Sequence, residues 1–238
     1  DIIHTPFNES LIWAKINIYK KLYFKQRRVI RLLRNVLPDI ILEEFSKYGK
    51  STPKRFESGI VMFTDFVNFS EKSASIAPIQ LIKKLDTYFK KFDQIIGKYN
   101  LEKIKTIGDA YMVVGGLKQE VTTTDYVAMA LASIEMKEFV LNEALTASAF
   151  GEDPWEMRMG IHTGPLVAGV IGSRKFSYDV WGDTVNIASR AEEQCFPGRL
   201  YATKEFNQHI EPFFNTTYKG EIEIRKRGGH YSLYEIQS

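Results

Sequence analysis

Cysteine is nearly absent. Cys195 is the only one in 238 residues, so no intramolecular disulfide can form and a reducing, cytoplasmic compartment is expected. No run of eighteen apolar residues occurs, so no segment reads as a membrane-spanning helix. There is no repeat at a period of 20–50 residues and no low-complexity tract, which excludes solenoids, propellers and linker-like chains. No signal-peptide pattern follows Asp1, and the first residue is not Met, so a piece of a longer chain is expected. Hydrophobic residues make up 44% and charged residues 26%, an ordinary globular balance that excludes collagen, a disordered tail and a disulfide scaffold. A chain this long can bury a core that needs no metal or disulfide staple.

Acidic residues are missing from one stretch. Between Ser10 and Pro38 there are eight Lys/Arg and no Asp/Glu. Residues 1–50 carry ten Lys/Arg against five Asp/Glu, and the rest of the chain 22 against 24. Such a stretch could sit on acidic lipid or nucleic acid, but the solvated face of a connecting helix is the better reading. A body near neutrality does not read as a nucleic-acid binder, and no nucleic-acid partner is expected. The same stretch has helical periodicity. Steps of four and three give Ile12, Ile16, Tyr19, Tyr23, Gln26, Ile30, Leu33 and Leu37, seven of these eight apolar. This predicts a helix that pairs with a second copy of the chain and ends before Pro38. A short helix from Asp39 to about Tyr48 follows, closed by Gly49-Lys50-Ser51-Thr52-Pro53.

Beyond residue 55 strands and helices alternate. Gly59–Phe63 is a short apolar run suited to a central strand. Pro78 opens a helix with Leu81, Leu85, Tyr88, Phe92, Ile95 and Tyr99 on one face. Residues 102–107 and 110–114 read as a hairpin around Gly108-Asp109. A helix from Asp125 to about Ala144 is expected, then a strand pair, 156–163 and 166–171, around Gly164-Pro165. A helix at Asp183–Glu193 and further strands with one short helix complete the chain. The order β-α-β-β-α-β predicts an α+β, ferredoxin-like sandwich with a C-terminal extension, preceded by an N-terminal dimerisation helix.

That order brings two carboxylates together. Asp65 ends the first strand and Asp109 sits at the hairpin tip, and strand one should lie beside that hairpin. Two hard oxygen ligands with open positions suit Mg2+ or Mn2+, which retain water and phosphate in their coordination. Each Asp alone reads better as a turn residue or a strand-end cap, and it is the neighbouring residues that reverse this.

The neighbouring residues resemble a known family. Phe63-Thr64-Asp65, Lys103-Ile104-Lys105-Thr106-Ile107-Gly108-Asp109-Ala110-Tyr111, Gly160-Ile161-His162-Thr163-Gly164-Pro165 and Tyr178-Asp179-Val180-Trp181-Gly182-Asp183-Thr184-Val185-Asn186-Ile187-Ala188-Ser189-Arg190 are similar to the class III nucleotidyl cyclases. The resemblance covers roughly residues 35–238 and implies conversion of ATP or GTP to a 3′,5′-cyclic nucleotide. It implies two divalent cations held by Asp65 and Asp109 with the Phe66 backbone carbonyl. Asn186 and Arg190, four apart on one helical face, match the pair that holds the ribose and the transition-state charge. Without the resemblance, Arg190 reads as a surface ion pair with Glu192 or Glu193.

Adenine readers in this family use lysine and aspartate, and Lys105 and Asp179 stand at those positions. A lysine can donate to adenine N1 and a carboxylate can accept from its amino group, whereas guanine reverses both edges. The resemblance therefore implies an adenylate cyclase acting on ATP. Arg227, within Arg225-Lys226-Arg227-Gly228, matches the phosphate-binding cation, or is one charge of a solvated loop. Asn68-Phe69-Ser70 replaces the family's Gly-Phe-Thr, and Asn tolerates positive φ, so the phosphate-binding turn and its short helix should survive. The family's site lies between two domains, and this chain carries both halves, which implies a head-to-tail homodimer with two equivalent sites. The alternatives are a guanylate or mixed-specificity cyclase and a silent dimerisation module, although no expected site residue is missing from the chain.

Asp1-Ile2-Ile3-His4-Thr5-Pro6-Phe7-Asn8, followed by Leu11, Ala14 and Ile16, resembles the last strand-to-helix junction of response-regulator receiver domains, with Thr5 in place of lysine. The implied division is a receiver-like remnant at 1–24, a linker helix and boundary turn at 25–50, and the catalytic domain at 51–238. The competing origin of the basic stretch is a linker just after a membrane segment, which would attach the full-length protein to a membrane.

Overall fold

The apolar run at Gly59–Phe63 is the middle of a longer strand, β1 (Lys54–Phe66), in a computed structural model that describes residues 9–117, 120–172, 175–224 and 229–237. The receiver-like junction therefore lies outside the described residues, apart from the start of its helix. By internal packing the chain forms two units. One takes the residues up to Thr52 together with Val170–Tyr178, and the other takes Pro53–Gly169 and Asp179–Ser238.

In the first unit, α1 (Glu9–Leu33) runs uninterrupted through the basic stretch, and none of its residues is buried. Leu22, Tyr23, Phe24 and Leu32 are all more than half exposed, so the helix carries an uncovered apolar surface. Pro38 precedes α2 (Asp39–Tyr48), as expected from its fixed φ and lack of a donor. Gly49 closes α2 with φ +69, its amide donating to the Phe45 carbonyl at 3.0 Å.

In the second unit, β1 is followed by α3 (Phe69–Ala74), α4 (Pro78–Lys98), the hairpin β2 (Glu102–Ile107) and β3 (Ala110–Gly115), and α5 (Thr123–Ala149). Then come β4 (Met157–Ile171) as far as Gly169, β5 (Ser177–Trp181) from Asp179, α6 (Asp183–Glu193), β6 (Leu200–Thr203), α7 (Lys204–Ile210), β7 (Thr216–Ile224) and β8 (Gly229–Ile236). The strand order is β2-β3-β1-β4-β6-β8-β7, with β5 beside β4. Its first four members are antiparallel neighbours in the ferredoxin-like order; β6 adds parallel to β4, and β8 and β7 extend the sheet. The fold is α+β, as the sequence predicts.

Alternation along β1 and β4 sorts the layers. Ile60, Met62 and Phe66 of β1, with Met157, Met159 and Ile161 of β4, face α4 and α5 and meet Tyr88, Phe92, Ile95, Met129 and Met136 in the main core. The opposite face carries α6. A Cβ on Gly160 would stand 2.1 Å from the Glu192 backbone nitrogen and 2.7 Å from the Ala188 carbonyl oxygen. Only glycine lets helix and strand approach so closely.

Two boundaries differ from the sequence reading. α5 starts at Thr123 because Thr122 caps it: the Thr122 amide and hydroxyl donate to the Asp125 carboxylate at 2.8 and 2.7 Å, making Asp125 the third residue of the helix rather than its first. The expected strand pair at 156–163 and 166–171 is one continuous strand. Gly164-Pro165 does not reverse the chain because β1 pairs on both sides of it, Gly59 with Gly164 and Phe56 with Leu166. A register shift in β1 between Phe56 and Gly59 absorbs the irregularity.

Candidate active site

The β2–β3 turn is a two-residue hairpin closed by the Ile107–Ala110 pair, with Gly108 at φ +64. Thr64 pairs with Tyr111, so the next residue of β1, Asp65, arrives beside Asp109. The Asp109 carboxyl is pushed up to about 6, first by burial and next by the charge of Asp65; its own amide and that of Phe66 pull the other way. Phe66 anchors the strand end, its ring buried against Tyr88 at 5.0 Å and Trp155 at 5.1 Å.

Asp65, Asp109 and residues 66–71 line a cavity of about 330 Å3. Asn68 turns the chain there in the left-handed region, φ 55 and ψ 32, as its substitution for glycine requires. Its carbonyl accepts the Glu71 and Lys72 amides at 3.1 and 3.0 Å, which starts α3. Two adjacent acids, one held above its usual range by burial and then by the charge of the other, are a donor set that a divalent cation would relieve. Among the described residues no three His, Cys, Asp or Glu side chains gather as they do in a closed metal site, so two carboxylates and backbone oxygens are the available donors. The residues fit Mg2+ or Mn2+.

Arg158, not anticipated from the sequence, also lines this cavity. It stands opposite Asp65 in the β1–β4 ladder, and its Nη2 donates to Asp65 Oδ2 at 3.0 Å. Its Nε lies 3.1 Å from Oε1 of Glu192 on α6, close but not aligned as a hydrogen bond. Glu192 is buried and its carboxyl is pushed up to about 7, mainly by burial, with Arg158 opposing and Asp65 and Glu193 adding to the rise. Antiparallel alignment of β1 with residues 157–164 would have revealed Arg158. Glu192 is the residue that turns inward, while its neighbour Glu193 takes Arg190.

Lys105 and Asp179 come together: Lys105 Nζ donates to Asp179 Oδ2 at 2.5 Å, and Oδ1 accepts the Val180 amide at 2.8 Å. Asn186 and Arg190 lie one turn apart on α6, both exposed, with the Arg190 guanidinium paired to Glu193. None of these four residues lines the cavity at Asp65 and Asp109. One chain thus presents an acidic set and a separate set made of Lys105, Asp179, Asn186 and Arg190. Arg227 lies outside the described residues.

A mixed sheet of this topology is the fold of nucleotidyl cyclase catalytic domains. Residues 52–238 match the model of the adenylate and guanylate cyclase catalytic domain, and the chain belongs to that family. Over 209 residues it is 36% identical to an adenylate cyclase of Mycobacterium tuberculosis, a match covering 86% of this chain and 45% of the relative. It is also 31% identical over 218 residues to the guanylate cyclase soluble subunit beta-2 of Rattus norvegicus, covering 91% of this chain and 31% of the relative. The chain thus spans less than half the length of these relatives. Among solved structures, the adenylyl cyclase CyaB from P. aeruginosa superposes with a TM-score of 0.74 at 27% identity, over 79% of this chain and 97% of that one. The catalytic core of a rhodopsin-guanylyl cyclase with converted specificity, in complex with ATPalphaS, gives 0.71 at 27% identity, over 79% of this chain and 99% of that one. No helix among the described residues is long and apolar enough to cross a membrane.

Proposed function

We propose that this chain is an adenylate cyclase that converts ATP to 3′,5′-cyclic AMP and pyrophosphate at two composite sites of a head-to-tail homodimer. The observation that carries the nucleotide assignment is the Lys105–Asp179 pair, a cationic donor held 2.5 Å from an anionic acceptor. Adenine offers N1 as an acceptor and N6 as a donor, so the pair can satisfy both groups; guanine would leave each facing its own kind. Relatives named for either nucleotide occur, so side-chain chemistry rather than family membership supports ATP.

The homodimer reading rests on the separation of the two residue sets in one chain. Asp65 and Asp109 of one subunit would face Lys105, Asp179, Asn186 and Arg190 of the other. Two divalent cations on Asp65 and Asp109, with the Phe66 carbonyl, would supply charge neutralisation for the 3′-oxygen and the phosphates. Asn186 orients the ribose without adding charge. Arg190 leaves Glu193 and directs its fork at the phosphate oxygens as negative charge builds. Arg227 is proposed to hold the triphosphate. The new bond joins the 3′-oxygen to the α-phosphorus, the bond to pyrophosphate breaks in line, and the hydroxyl proton leaves to solvent. Positioning and electrostatics dominate such a transfer.

Purified protein with Mn2+ is expected to form cyclic AMP and pyrophosphate from ATP and to discriminate strongly against GTP. Linear AMP as the only product would end the cyclase reading. Equal turnover of both nucleotides would end the base assignment, and folded, dimeric, silent protein would favour a dimerisation module.

A further inference from the structure

We infer that the cavity between α5 and the start of β4 is a binding site for a small monocarboxylate with an apolar tail, and that its occupant braces the turn that follows Asp65. None of its lining residues belongs to the sets assigned above to cation, base, ribose or phosphate.

The cavity has a volume of about 150 Å3 and lies entirely within the second unit. Val140 and Ala144 of α5 are buried on one side of it and Trp155 and Met157 on the other. Leu141 and Leu145, both more than half exposed, stand at its rim. Walls of this kind favour carbon over water, and a cavity of this size holds about six carbon atoms.

Positive charge lies at one end. Lys137 begins the row of α5 residues along the cavity, and burial holds its ammonium below the usual lysine range. Glu235 and Glu138 oppose that drop and Arg199 adds to it, so all three charges act on Lys137. Glu235 is buried and already engaged, by Arg199 at 2.9 Å and by Lys219 at 2.7 Å. Three cations thus share one buried acid and the exposed Glu138, which leaves a positive surplus. A carboxylate beside Lys137 would relieve a partly desolvated ammonium, whereas an amine there would add a like charge. Glu156, the one acid on the lining, is exposed to solvent.

The same wall touches the strand end that carries Asp65. The Glu156 carbonyl accepts the Val67 amide at 2.9 Å, and Val67 lies in the turn between Asp65 and Asn68. Met157 pairs with Phe66 across the β1–β4 ladder, and the Trp155 ring lies 5.1 Å from that of Phe66. An occupant that fixes residues 155–157 therefore also fixes residues 66 and 67.

Hexanoate is the probe, titrated calorimetrically into the full chain without metal or nucleotide, so the result does not depend on the cyclase reading. Saturable binding at one site per chain is expected. Affinity should rise roughly fourfold per methylene from butyrate to hexanoate and level off once the tail outgrows the cavity. Hexanol and hexylamine should bind at least about tenfold more weakly, the size of one charge-assisted hydrogen bond. Equal binding of hexanol overturns the carboxylate assignment, and no saturable binding of hexanoate overturns the site. Lys137→Met keeps the apolar stem and should cost about tenfold in affinity. Ala144→Leu fills the cavity and should abolish binding; should it lower the melting temperature, Leu145→Asn at the exposed rim repeats the test with a several-fold loss. Binding unaltered by these variants places hexanoate elsewhere and overturns the inference. Amide hydrogen exchange reads the link to the turn: saturating hexanoate should slow the Val67 amide several-fold, and unchanged exchange there overturns the bracing role.

Discussion

Asp65 ends a strand between buried Thr64 and Phe66 and Asp109 sits in the half-buried turn beside it, whereas Asn186 and Arg190 stand on an exposed helix face. The acid pair is held by ladder register, by the Phe66 anchor and by Arg158, and its electrostatics are already perturbed in one chain. The other set is occupied with itself: Lys105 holds Asp179, and Arg190 holds Glu193. The difference teaches which half of the site a single chain can finish. In the proposed dimeric site the acidic half would be complete before any partner arrives, and the recognition half would keep its charges paired within the chain until a nucleotide took them.

The strongest way to break that comparison is at the acids. Asp109→Ala should lower kcat by about 10^3-fold, since charge stabilisation of this kind contributes several kcal/mol to the barrier; single-turnover cyclic AMP formation measures it. Arg190→Ala should cost about 10^2 to 10^3 in kcat with little change in KM, because its interaction develops in the transition state. Mixing it with Asp65→Ala should restore partial activity, and no recovery in verified heterodimers would mean the halves are not shared.

A Lys105→Glu, Asp179→Cys double substitution should move the preference towards GTP, read as the ratio of kcat/KM for the two nucleotides. Unchanged selectivity would remove the base-reading role from the exposed half.

The smallest expected effect is in pH. Asp109 is raised to about 6, so its proton competes with a cation below that value, and Mn2+ affinity should climb by up to about tenfold per unit from pH 5 towards 6 before levelling off near 7. The sign for folding is opposite: a carboxyl with a raised folded pKa favours the fold below its unfolded value of 3.8, and that contribution is lost as pH rises through about 6. Calorimetric titration with Mn2+ at several pH values checks the affinity, and a flat profile would mean that a protonatable Asp109 does not hold the cation.

Much of this was legible in the sequence because the signals were local. Gly108-Asp109 marks its own turn, the Pro78 helix shows its period, and Asn68 tolerates the conformation it adopts. What escaped was non-local. Gly164-Pro165 reads as a turn until β1 is known to pair on both sides of it. Asp125 reads as a helix start until Thr122 is seen to cap it. Arg158 stands just before the Gly160–Pro165 block rather than in it, and only the cross-strand register places it against Asp65. Glu192 and Glu193 are equivalent in sequence, and the rotation of α6 over Gly160 decides which one is buried.

That seat of α6 on Gly160 has a mechanical result. With no side chain between helix and strand there is no cushion to deform, so the distance from the acids to Asn186 and Arg190 within one chain acts as a fixed ruler. In the proposed homodimer, alignment of two such rulers rather than flexing of either would open or close catalysis, and by symmetry a twist between subunits would adjust both centres in the same stroke.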